Sequence, residues 1–229
     1  MNNLEQFTMN GFWAPKYPDL ANKFTIGHQN VLYEHGLGYF TSNELYWHGF
    51  DDVYVALVFK GDEAVAGLRL ETKVKERMLP LEKALKSRDN KVTEFVEGLS
   101  NHKVFEVCGL WNSKKYAGYD FATFLCRACL AIAPQLGFDV SLSLNGFYTY
   151  RIPKDIGCRM VTSVGEGGRF AYPVKRFHSA IWIQDDLDKI SLASDECKQL
   201  VKAIRAGGEV RRKEQNKIGE IEIIYNLDT

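Results

Sequence analysis

One stretch of this 229-residue chain has residue types and spacing suited to chemistry: VFEVCGLWNSKKYAGYDFATFLCRACLAIAPQLG, residues 104–137. A short apolar run carries one carboxylate, Glu106, and gives way to a turn rich in Asn, Lys and Gly. The turn opens into a helical pattern in which Phe121, Phe124, Leu125, Ala128 and Ile132 share a face. Strand, glycine-containing turn and helix start, in that order, make a cradle for an anion. The first N–H groups of a helix have no internal partners and lie at the positive end of its dipole. A diphosphate suits such a cradle, with Lys114 and Lys115 as countercharges. The competing reading is a pair of solvated turn lysines.

The flanking pattern predicts the elements that must position these residues. Residues 1–50, rich in aromatics, Gly and Pro, read as a less regular segment, with Met1–Lys23 an extended arm and Asn30–Phe40 a helix weakened by Gly36 and Gly38. VYVALVFK and EAVAGLRLETKV, joined by Gly61-Asp62, read as a β-hairpin. Pro80 opens a helix through PLEKALKSR, and TEFVEGL continues in helical spacing. His102–Trp111 is the next strand, and Asp120 is placed to cap the helix that follows. Pro134 and Gly137 end that helix. VSLSL forms a strand ending at Asn145-Gly146, and a Pro-interrupted segment through Lys154–Gly157 leads to a strand at Met160. HSAIWIQ and EIEIIYNL alternate as strands, Asp195–Ala206 is helical, and RRKEQNK reads as a solvated charged turn. This order predicts an α/β (α+β) architecture in a single domain over 1–229, a mixed sheet with helices on both faces. The helix between the Val104 and Val140 strands implies a right-handed parallel crossover.

Composition narrows the function classes. Hydrophobic residues make up 45% and charged residues 25%, as in ordinary soluble domains. Lys+Arg and Asp+Glu are equal at 29 each, so no global field recruits nucleic acid or an anionic membrane. No segment approaches the length of a membrane span. Five cysteines without framework spacing suit a reducing compartment, and a cytoplasmic location is expected. Cys126 and Cys129 form a C-x-x-C inside a helix, with no second pair and no nearby His, and the histidines lack ligand spacing, so no metal is expected. Cys108, with no His placed to activate it, reads as a core thiol.

The turn carries a resemblance. Lys115-Tyr116-Ala117-Gly118-Tyr119-Asp120 has the spacing of the phosphate motif of the GNAT superfamily of N-acyltransferases: Arg or Gln, two residues, Gly, one residue, Gly or Ala. Gly118 matches, Lys115 stands in for the Arg, and Asp120 departs from the motif with a carboxylate that repels a diphosphate. Within the superfamily, AVAGLRLETKVKERMLPLEKAL and VFEVCGLWN resemble the acyl-homoserine lactone (autoinducer) synthases and the related N-acyl amino acid synthases. Gly67, Arg69, Leu70, Met78, Leu79 and Glu106 fall into that pattern, and Asp51 and Asp52 precede the hairpin as acidic residues do there. Cys108-Gly109 replaces a Ser-Arg pair, a departure that bears on homoserine-lactone specificity. The likeness runs from Asp51 to Gln184.

The resemblance implies a GNAT-like, mostly antiparallel twisted sheet and an enzyme that moves an acyl group from a pantetheine thioester to a primary amine. The donor would be acyl-CoA or acyl carrier protein, the acceptor a small molecule such as an amino acid, and no acyl-enzyme would form. Glu106 is then the base, and the N–H of Leu110 or Trp111 the oxyanion donor. Lys114, Lys115, Gly118 and Asp120 line the diphosphate turn, Asn145 bonds a pantetheine amide, and Tyr150 protonates the leaving thiolate. Arg69 and Asp52 face the acceptor. Plainer readings stand beside these: Glu106 as a solvent-side carboxylate of an edge strand or paired with Arg69, Arg69 in a salt bridge to Glu71, Asn145 as a turn residue before Gly146. For the whole chain, the alternative is a non-catalytic ligand-binding protein of the same fold.

Overall fold

A computed structural model describes residues 4–36 and 46–228. In chain order it runs β1 (Glu5–Trp13), α1 (Pro18–Glu34), β2 (Val53–Lys60), β3 (Glu63–Thr72), α2 (Pro80–Leu85), α3 (Lys91–Glu97), β4 (Val104–Asn112) and α4 (Phe121–Ile132). There follow β5 (Val140–Gly146), α5 (Arg151–Asp155), β6 (Arg159–Met160), β7 (Phe170–Ala171), β8 (His178–Gln184), α6 (Asp195–Arg205), β9 (Val210–Gln215) and β10 (Glu220–Leu227).

Two expectations change. The expected arm is a strand and a helix instead: β1 pairs in parallel with β10 from Glu5↔Ile221 to Gly11↔Leu227, and antiparallel with β2 from Thr8↔Phe59 to Trp13↔Tyr54. Pro18 opens α1 at a position where its missing N–H costs nothing, and Ala21, Phe24, Thr25 and His28 form its buried face. The expected helix Asn30–Phe40 overlaps the end of α1 at Glu34; its part beyond Gly36 lies outside the described residues. The charged segment after Gly208 is β9, antiparallel to β10. Arg211, Arg212 and Lys213 are consecutive, and pairing with β10, with Arg211 on Glu222 and Lys213 on Glu220, holds the segment extended.

The chain folds as two compact units: Met1–Arg69, Gly109–Ile132 and Leu200–Thr229 in the first, Leu70–Cys108 and Ala133–Gln199 in the second. The first unit has strand order β3-β2-β1-β10-β9, with β2 and β3 joined by a two-residue turn in which Gly61 takes φ +56. Its core gathers Phe12, Phe24, Trp47, Val55, Leu57 and Trp111. The second unit has strand order β3-β4-β5-β8-β6, with β7 also on β8. There β4 and β5 are parallel from Val104↔Val140 to Val107↔Ser143, as the crossover through α4 requires. β5 and β8 are antiparallel from Ser141↔Gln184 to Gly146↔Ser179. Leu81, Leu85, Val96, Val104, Leu142 and Ile183 form its core. The mixed, mostly antiparallel sheet flanked by helices is the one expected.

Candidate active site

Glu106 lies on β4, which in the second unit sits between β3 and β5, and it is 2% exposed. The solvent-side edge reading therefore does not hold. Pro80 takes the first position of α2 and has no N–H, so the first N–H that the turn presents is that of Leu81. It donates to Glu106 Oε2 at 2.8 Å. Neighbouring carboxylates are buried too. Glu82 Oε2 accepts the Leu79 N–H and Lys73 Nζ, each at 2.9 Å. The Lys73 N–H donates to the Val104 carbonyl at 2.8 Å, and in an antiparallel ladder this register puts Glu71 opposite Glu106. Glu71 is fully buried, and the Cys108 thiol lies 3.7 Å from its Oε1. Cys108 is half-buried and faces a carboxylate, a more polar setting than the expected core thiol. Burial raises the Tyr172 phenol; the Arg88 guanidinium opposes this and the charge of Glu106 reinforces it. Nothing in the local sequence pointed to Tyr172, because it lies 66 residues beyond Glu106, and the loop, helix and strand between must fold before the two groups share an environment.

In the first unit, Arg69 is 1% exposed and its guanidinium lies over the Trp47 ring at 5.2 Å. Phe24 packs edge-on against Trp47 at 5.4 Å and His28 stacks on Phe24 at 5.9 Å. His48 Nε2 is 2.7 Å from Thr25 Oγ1. Desolvation, reinforced by the charge of Arg69, lowers both histidines, His28 to about 4. Asp52 is half-buried immediately before β2.

Gly109 has φ +58, and a Cβ there would stand 2.8 Å from Arg69 Nη1 and 3.1 Å from Phe24 Cζ. The Lys73 N–H donates to the Val104 carbonyl and the Ser113 N–H to the Val65 carbonyl. Between the two bonds one strand advances eight positions, Val65 to Lys73, and its partner nine, Val104 to Ser113. The extra residue on β4 is a bulge, with Gly109 in the left-handed conformation that such a bulge favours. The N–H groups of Leu110 and Trp111 come directly after it. The Trp111 side chain is buried, and a Cβ on Gly27 of α1 would fall 2.2 Å from its ring.

The expected diphosphate turn follows β4. Gly118 takes φ +91 and Asp120 takes φ +60. The Asp120 carbonyl accepts the N–H of Thr123 at 2.9 Å and of Phe124 at 3.2 Å, so Asp120 does stand at the helix start. Phe121 and Ala122 begin α4 ahead of any carbonyl their N–H groups could reach within the helix. Phe7 of β1 meets the rings of Tyr116, Tyr119 and Phe121 at 5.8, 5.6 and 4.8 Å, and the Tyr119 hydroxyl donates to Glu5 Oε2 at 2.9 Å. Aromatic packing thus holds the turn in shape. Lys114 is exposed, whereas Lys115 Nζ is engaged by Glu63 at 3.0 Å. That pair is solvent-exposed and weak enough to exchange for a phosphate.

On the second unit, Asn145 stands opposite Ala180, and Tyr150 precedes α5 with its ring edge-on to Trp182 at 5.1 Å. Burial raises the Tyr150 phenol and the charge of Arg169 opposes the rise. Asn145 Oδ1 and the Tyr150 hydroxyl are buried without a hydrogen-bond partner. Among the described residues no group of three or more His, Cys, Asp or Glu is placed to hold a metal ion. None of their helices is long and apolar enough to cross a membrane.

This is the fold of the GNAT-type acyltransferases. FeeM, an N-acyl amino acid synthase from uncultured soil microbes, is similar at a TM-score of 0.61 and 11% identity, over 84% of this chain and 97% of that one. MesI, a CoA-dependent acyl-homoserine lactone synthase, is similar at 0.54 and 13% identity, over 88% and 97% of the two chains. BjaI, a CoA-dependent acyl-homoserine lactone synthase solved with SAM and isopentyl-CoA, is similar at 0.55 and 13% identity, over 86% and 90%. No family model and no curated protein sequence matches the chain.

Proposed function

We propose that the chain is an N-acyltransferase that moves an acyl group from a pantetheine thioester, acyl-CoA or acyl carrier protein, to the primary amine of a small molecule. The observation that carries this reading is Glu106, a buried carboxylate on a central strand with one oxygen fixed by the Leu81 N–H. A carboxylate can accept at both oxygens, so fixing one sets the plane in which the other takes a proton. The attacking amine must lose a proton, and a positioned base away from bulk water is what that step needs.

The remaining roles follow along the chain. The strand that carries Glu106 has a bulge at Gly109, and bulges re-aim backbone groups out of the ladder. The N–H of Leu110 or Trp111 would then meet the oxyanion that develops on the thioester carbonyl. The same strand leads into the Lys114–Asp120 turn, where α4's first N–H groups, Lys114 and Gly118's open backbone suit the diphosphate of CoA. Tyr150, kept protonated by burial, donates to the departing thiolate, and Asn145 bonds a pantetheine amide. Arg69, held over Trp47, would orient the acceptor together with Asp52. An amino acid acceptor suits an arginine through its carboxylate. The five cysteines are free thiols, which suits a cytoplasmic enzyme.

The second reading, a ligand-binding protein of the same fold without turnover, draws on Asp120 and on the Cys108-Gly109 replacement. Thiol release from acyl-CoA in the presence of mixed amines separates the two. Glu106→Gln keeps an oxygen for the Leu81 N–H and so keeps the fold; its kcat is expected to fall by about 10²–10⁴-fold with CoA affinity unchanged. Wild-type turnover by that variant overturns the role of Glu106. Tight CoA binding with no thiol released for any amine favours the binding protein.

A further inference from the structure

The face shared by β5 and β8 carries an unmet polar demand. Antiparallel pairing sets Ser143 opposite Trp182 and Asn145 opposite Ala180, so all four side chains project to one side. Tyr150 packs edge-on against Trp182 on that side. Trp182 is 4% exposed. Its Nε1–H, Asn145 Oδ1 and the Tyr150 hydroxyl are all buried, and each lacks a hydrogen-bond partner. Proteins seldom bury such groups unpaired, and three on neighbouring side chains is far above the usual density. Asn145 and Trp182 are diagonal neighbours across the two strands, roughly 7–8 Å apart in backbone terms, and they do not bond each other.

The three atoms have a defined complement. Asn145 Oδ1 wants a donor, the Trp182 indole wants an acceptor, and the Tyr150 hydroxyl can serve either way. A secondary amide supplies the N–H and the carbonyl on one planar group, and a sulfur a short chain away can meet the phenol. Pantetheine has that order of groups: amide, two methylenes, sulfur. We infer that Trp182 is a hydrogen-bond donor to the amide carbonyl of the pantetheine arm, completing with Asn145 a recognition pair that selects pantetheine thioesters from other acyl thioesters. The inference rests on the acyl-donor reading above and adds the residue that reads the arm.

The test uses the full chain with ¹⁵N-labelled tryptophan, which has four indoles to distinguish. Trp182 is assigned from its nuclear Overhauser contacts to the Tyr150 ring, and by the peak missing in Trp182→Phe where that variant folds. CoA, pantetheine and adenosine 3′,5′-diphosphate are titrated separately. The Trp182 indole N–H is expected to shift downfield with CoA and with pantetheine and to stay still with the nucleotide. In Trp182→Phe, affinity for CoA and pantetheine is expected to fall about 2- to 10-fold, the worth of one hydrogen bond, with nucleotide affinity unchanged. CoA binding that leaves the Trp182 peak in place overturns the inference and spares the acyl-donor reading. Wild-type protein that binds neither CoA nor pantetheine overturns both.

Discussion

Asp120 is the residue at which this chain departs most clearly from a phosphate-binding turn. Its backbone takes φ +60, the left-handed conformation that a glycine adopts without cost and that Asp and Asn tolerate best among the other residues. Gly118 and Asp120 both take positive φ, and Asp120 adds a carboxylate to the turn proposed for the diphosphate. Shape and charge can be separated by Asp120→Asn, which retains the side-chain outline and the tolerance for positive φ. Calorimetry on that variant is expected to show CoA binding about threefold to tenfold tighter at low salt, from removal of one like charge near the diphosphate. The melting temperature should hardly change. Unaltered affinity would place the diphosphate away from this turn. Lys115 shows the same principle from the other side: its amine is engaged by Glu63, and a phosphate at the proposed turn would have to displace that surface pair to use it.

Among the elements, β4 departs from a regular ladder at Gly109, just ahead of the N–H groups proposed as oxyanion donors. A regular strand would keep every N–H in the ladder, and the bulge at Gly109 is what directs the backbone after it elsewhere. Only glycine fits there. Gly109→Ala meets the left-handed penalty of about 1–2 kcal/mol and also sets a methyl carbon 2.8 Å from Arg69 Nη1. Urea denaturation should show a loss of about 2 kcal/mol or more. A variant as stable as wild type would mean that the strand can flatten and that the bulge is not anchored by Arg69. Helix α1 makes a similar close approach to β4, its Gly27 lying against the Trp111 ring.

At the scale of the whole molecule, positive and negative side chains balance, so the pH dependence of stability comes from individual groups and not from overall repulsion. His28 and His48 are both lowered in the mildly acidic range, and His28 has the larger shift. Its ordinary value of 6.5 falls to about 4 in the folded chain, through desolvation first and the charge of Arg69 second. The folded state thus refuses a proton that the unfolded chain accepts. Stability is expected to be full above pH 6.5, to decline as pH falls toward about 4, and to lose roughly 3 kcal/mol from this group across that window. Asp89 and Asp186, both lowered by backbone or side-chain hydrogen bonds, lose their contributions only at lower pH still. Denaturation midpoints at pH 7, 5.5 and 4.5 for wild type and His28→Gln check this. The variant should lack most of the decline; an identical slope in both would assign it to other groups.

The local pattern was enough for the β2–β3 hairpin, for α4 and for strands β4, β5, β8 and β10, because period and turn chemistry lie within a dozen residues of each other. It was enough to single out Glu106 and the Lys114–Asp120 turn, since the order of residue types there is itself the signal. It was not enough for β1 or β9. β1 is a strand because β10, more than two hundred residues away, pairs with it, and β9 is a strand because β10 lies on its other side. Residue types alone also left open whether Glu106 faces solvent; pairing on both sides of β4 and the N–H of Leu81 decided that. Trp182 reads from sequence as one more alternating strand residue. That its indole N–H ends buried and unpartnered beside Asn145 and Tyr150 depends on the register of two strands and the packing of one ring, and only tertiary structure determines those.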